Sequence, residues 1–132
     1  IFEVGSAISS SKMTLSQDFY QAYKKRWGKF LEAGHGPAPS YESVYILAEA
    51  IERAGSLNAD AIVAALEKTD RKGVMGRIKF DAGHQVIYDM DPEKAATAAV
   101  FQWTQGGGRT IVFPPALAEG KIQLPPGLKA AN

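Results

Sequence analysis

The sequence predicts an α/β fold, and three observations carry that expectation. Helical periodicity fills residues 14–70, in three amphipathic segments. Beyond Arg71 the pattern changes to short alternating or β-rich runs. The last two of those runs flank a triple-glycine turn, which predicts a C-terminal β-hairpin.

The elements follow in chain order. Residues 1–8, with Ile1, Phe2, Val4, Ala7 and Ile8 apolar, read as a strand. Ser9 to Lys12 read as a loop. Thr14-Leu15-Ser16-Gln17 matches a capping box, in which the Thr14 hydroxyl accepts from the Gln17 N–H. Phe19, Tyr23, Trp27 and Phe30 then place one aromatic stripe on a single helix face. Lys24, Lys25, Arg26 and Lys29 lie where positive charge suits the C-terminal end of a helix. This helix ends at Gly28 or runs on to Gly34.

His35-Gly36-Pro37-Ala38-Pro39 reads as irregular, because each proline lacks an N–H and restricts its predecessor. Ser40 is the expected N-cap of a second helix over 41–54. Val44, Leu47, Ala48 and Ile51 form its expected buried face, with Tyr45 beside them and Glu42, Glu49, Glu52 and Arg53 mostly elsewhere. Gly55 is the expected left-handed C-terminal cap. Ordering this helix costs about as much as its apolar face returns, so it requires a surface to lie on. Asn58 caps a third helix whose narrow apolar face is Ile62, Ala65 and Leu66, fading at Thr69-Asp70.

Gly73-Val74-Met75-Gly76 reads as a bend and Arg77 to Phe80 as a half-buried strand. Asp81 to His84 turn, and Val86-Ile87-Tyr88 form a short extended piece. Asp89 to Thr97 connect to the hairpin, built from Ala98–Thr104 and Thr110–Phe113 around Gln105–Arg109. Pro114-Pro115 ends it, and 116–132 read as a tail with little core of its own. There is no internal repeat and no linker that would divide the chain.

Composition narrows the function. The 132 residues are 45% hydrophobic and 22% charged, which is globular rather than disordered. Fifteen Lys plus Arg balance fourteen Asp plus Glu, so nothing in the net charge of +1 favours nucleic acid. Zero cysteines exclude a disulfide scaffold and a Cys nucleophile. No run is long enough to span a bilayer, and Ile1 to Val4 do not start a signal peptide. The start without Met reads as a processed product or an excised piece.

Four blocks then resemble one family in order. Pro39-Ser40-Tyr41-Glu42-Ser43-Val44 through Ala54-Gly55 is similar to a helix of the branched-chain amino acid type of periplasmic binding protein. Ala61 to Leu66 resembles the helix that follows it. Gly73 to Asp81 resembles the family's bend and strand, and Val100-Phe101-Gln102-Trp103 with the glycine turn resembles its terminal hairpin. Glu42 and Ser43 stand where Asp and Ala are usual, a mild change at a helix start expected to be exposed. His84-Gln85 stand where Gly-Asp is common.

The resemblance implies part of a periplasmic-binding-protein-like type I lobe: a single incomplete domain over 1–132, from the C-terminal part of a two-lobed protein. It implies an exported, periplasmic or extracellular, solute-binding component of an ABC importer. That component closes two lobes on a small amino-acid-like ligand and delivers it to a permease. A ligand-sensing module of the same fold, signalling to a receptor or regulator, is the alternative. The core is expected to be completed by a missing N-terminal part or by an element-swapped homodimer. The resemblance also singles out Tyr41, since an aromatic at this helix start often faces the interlobe cleft. Its phenol offers an apolar face and a hydroxyl. The competing role for Tyr41 is to hold the Pro37–Pro39 loop.

Other candidates carry less. His35 and His84 have no second ligand at metal spacing, and no cofactor is expected. Gly106-Gly107-Gly108 lacks the helix and Lys-Ser/Thr of a phosphate loop. Lys24-Lys25-Arg26 reads as a solvated helix end, and the aromatic stripe as core. Asp81, Asp89, Asp91 and Glu93 fall in turns without a nucleophile or His in register, so an enzyme is not expected.

Overall fold

The computed structural model describes residues 1–5, 10–29, 35–125 and 127–128. Along the chain these form β1 (Phe2–Gly5), α1 (Thr14–Trp27), α2 (Pro37–Ala54), α3 (Ala59–Leu66), β2 (Asp70–Gly73), β3 (Gly76–Lys79), β4 (Ala99–Trp103) and β5 (Arg109–Phe113). Two antiparallel sheets result, one ordered β1-β4-β5 and the other the β2-β3 hairpin. The strand at the N-terminus and the C-terminal hairpin are therefore one sheet, with Phe2 opposite Gln102 and Gly5 opposite Ala99. Ala7, Ile8 and Phe30 lie outside the described residues.

Met13, Ala99, Phe101, Ile111 and Leu117 form the core under the three-stranded sheet. Among the described residues after Pro115 only Leu117, 1% exposed, joins this core, while Ile122, Leu124 and Leu128 stay exposed, as expected of a tail with little core of its own. A set of long-range hydrogen bonds nevertheless ties the segment down. The Glu119 carboxylate accepts from the Ser10 hydroxyl and from the Ser11 N–H. Gln102 and Gln123 exchange two further bonds between the β4 side chain and the segment's backbone.

Helix starts needed two corrections. Met13, not Thr14, is the N-cap of α1, with no side-chain cap bond. Burial of Met13 in the sheet core fixes that entry, so the capping box does not form. Pro37 and Pro39 lie inside the first turn of α2, preceded by Gly36 as N-cap. The first turn has no intrahelical acceptors for its N–H groups, so prolines there lose nothing. The Ser40 N–H donates to the Gly36 carbonyl, which makes Ser40 a helix residue and not its cap.

The other ends are as expected. Gly28 and Gly55 close α1 and α2 in the left-handed conformation. The Asn58 side chain accepts from the Ala61 N–H. The glycine turn also forms, with Gly106 and Gly107 at positive φ.

The buried face of α2 is a correction of consequence. Ala38, Glu42, Ile46 and Ala50 face inward, at a spacing of four. Val44 is 67% and Leu47 48% exposed, and Ala48 is exposed as well. The inward face packs on Val74, Met75, Ile78 and Ala96, with Phe19, Leu66, Phe80 and Val86 around them. Val74 and Met75 are the tip of the β2-β3 hairpin, and both are buried. That hairpin enters the core tip-first, which is why an apparent bend is flanked by strands on both sides. Gly76 suits this turn at φ 95°, and a Cβ there would meet the Pro92 and Ala95 carbonyl oxygens.

Candidate functional site: the aromatic groove at the start of the second helix

The first turns of α1 and α2 and the start of the β2-β3 hairpin enclose a groove of about 290 Å³. Phe19 and Tyr41 supply its aromatic walls, Asp18 a carboxylate, and Arg71 and Lys72 positive charge. The α1 spacing that places Phe19 above Tyr23 on one face presents it to α2. Tyr41 is 39% exposed, with its ring centroid 4.8 Å from Phe19 and 4.9 Å from Tyr45. It therefore stands in a ladder of rings with one side open to the groove. The Tyr45 hydroxyl beside it, partial burial and the Glu42 charge together hold the Tyr41 phenol above its ordinary pKa.

Glu42, expected at an exposed helix start, is buried instead, at 1% exposed. Its carboxylate accepts from the Arg71 Nε at 2.8 Å and from the Val74 backbone N–H. Arg71 also pairs with Glu49 and lies over the Tyr45 ring at 4.9 Å. One guanidinium thus ties two α2 carboxylates and one ring to β2. A side chain at Gly73 would overlap the Glu42 carboxylate, so that glycine makes the approach possible. The sequence signal for this was thin: Ala38, Glu42, Ile46 and Ala50 recur at four, but two are alanines and one a glutamate.

The remaining candidates are dispersed. His35 is exposed, and His84 contacts Glu67 at 3.0 Å, neither of them lining the groove. Asp81, Asp89 and Asp91 each accept a backbone N–H two residues on, which pins their turns. Lys72 is committed to Glu93. Among the described residues no group of three or more His, Asp or Glu side chains could hold a metal. No described helix is long and apolar enough to cross a membrane.

Known proteins resemble this chain in sequence and in fold. The family model for periplasmic binding protein matches residues 7–113. Leu/Ile/Val-binding protein homolog 7 of Brucella melitensis is 30% identical over 123 residues, covering 90% of this chain and 29% of that protein. Its counterpart of the same name in Brucella suis is likewise 30% identical over the same share. Among solved structures, one from Silicibacter pomeroyi, provisionally assigned as a branched-chain amino acid ABC transporter, superposes with a TM-score of 0.75. It is 20% identical and covers 93% of this chain and 33% of that one. A leucine binding protein from Thermotoga maritima gives 0.60 at 23% identity, covering 84% of this chain and 29% of its own. The chain spans under a third of the length of the curated relatives it matches. By sequence and by fold, the chain belongs to the periplasmic binding protein family.

Proposed function

We propose that this chain is the C-terminal part of a two-lobed, exported solute-binding component of an ABC importer. Its ligand is a small amino acid, and the names of the relatives favour the branched-chain aliphatic class. The protein binds by hinge closure of two lobes and performs no chemistry on its ligand. The family match over residues 7–113 is the observation that carries this reading. The groove beside α2 is consistent with it. Aromatic faces at Phe19 and Tyr41 accept hydrocarbon, and the Asp18 carboxylate suits a ligand's ammonium group.

In this reading Tyr41 lines the interlobe cleft, and the preceding part of the protein supplies the opposite wall. The test is a thermal-shift panel on the longer protein that carries this segment. Leucine, isoleucine and valine are expected to raise its Tm, since a ligand of the native state alone stabilises it. Tyr41→Ala is expected to reduce that rise at equal ligand concentration, each rise being measured from the variant's own ligand-free Tm, which the lost ring contacts lower. No response to any amino acid, or an undiminished response in Tyr41→Ala, counts against the respective claim.

A further inference from the structure

We propose that a second pocket, between α3 and the turn after β3, binds a small hydrophobic amine. It is separate from the Tyr41 groove and goes beyond the transport reading. The pocket measures about 190 Å³, and its walls are Val63, Leu66 and Phe80. One side, at Val63, is open to solvent, and the apolar walls suit a branched alkyl group laid against them.

The rim supplies one polar pair, Glu67 and His84. The His84 Nε2 lies 3.0 Å from a Glu67 carboxylate oxygen, leaving the carboxylate's second oxygen to accept from a ligand. Glu67 is also the C-cap of α3, where the helix end adds negative potential to the carboxylate. An ammonium group matches that rim, whereas a carboxylate ligand would be repelled.

The rim is also held in place. His84 sits at φ 62°, a left-handed conformation costly for a residue with a Cβ. Asp81 fixes it there by accepting from the Gly83 and Gln85 N–H groups, and the Asp81 carbonyl accepts from the His84 N–H. The Phe80–Val86 bridge closes the loop behind. A preorganised rim lowers the ordering cost of binding.

The experiment is an NMR titration of the full chain with 3-methylbutylamine and with its neutral isostere, 3-methylbutan-1-ol. Saturable shifts at Leu66 and Phe80 in the millimolar range are expected for the amine. The alcohol is expected to bind about fivefold more weakly. Glu67→Gln should bring the amine down to the level of the alcohol. Val63→Phe fills the pocket from its exposed wall and should abolish binding of both. His84→Gly suits the positive φ, so the turn persists, yet it should weaken the amine by releasing Glu67. Tyr41→Ala should change nothing here, which separates this site from the transport reading. Equal binding of amine and alcohol, amine binding unaltered in Glu67→Gln, or no saturable shift overturns the proposal.

Discussion

A carboxylate out of reach of solvent must find its hydrogen bonds inside the protein, and Glu42 finds them on the β2-β3 hairpin. Removing it leaves the Val74 N–H unpaired and Arg71 short of a partner. Glu42→Ala is expected to destabilise the fold by about 3 kcal/mol, read from urea unfolding. Tyr20 presents the opposite case. It is buried, its hydroxyl has no hydrogen-bond partner among the described residues, and burial pushes its pKa well above the ordinary tyrosine value. Tyr20→Phe removes an unsatisfied group without opening a cavity, and should stabilise by about 1 kcal/mol in the same assay. Asp70 titrates below the usual carboxylate range because the Arg77 guanidinium donates to it. Its depressed pKa contributes stability above the unfolded value of about 3.9, lost as pH falls through the folded value. Carboxyl NMR should show Asp70 titrating low, and Arg77→Gln should return it to the ordinary range.

The helices show what the sequence could and could not reveal. Cap glycines and the Asn58 cap were legible because they act within a few residues of themselves. The C-terminal hairpin was legible for the same reason. The buried face of α2 was not. Val44, Leu47, Ala48 and Ile51 make the stronger apolar pattern, yet the described core takes the weaker face, Ala38, Glu42, Ile46 and Ala50. A helix apolar on two sides is one that lies between two layers. Strand β2, Asp-Arg-Lys-Gly, carries no β pattern and exists through its pairing with β3. The Tyr41 groove was half legible: the residue stood out, but its neighbours come from α1 and β2, which no local pattern joins. If the outer face of α2 belongs under a sheet supplied by the rest of the protein, Val44→Glu separates the two settings. In this chain alone it should shift stability by less than about 0.5 kcal/mol. In the longer protein it should cost several times more, measured by urea unfolding.

For the molecule entire, several elements leave large apolar side chains exposed. Phe2 and Val4 on β1, Val44 and Leu47 on α2, and Tyr88 and Met90 before β4 are all largely open to solvent. The chain spans less than a third of the length of its curated relatives, and the proposed reading would have sheet and cleft shared with a further part of a longer protein. Calorimetric titration of L-leucine, L-isoleucine and L-valine into this chain, and in parallel into the longer protein carrying it, tests that claim most directly. Saturable binding of at least one of the three by the longer protein, and no heat of binding from this chain, are expected. Equal affinity in both, or none of the three bound by the longer protein, would contradict it.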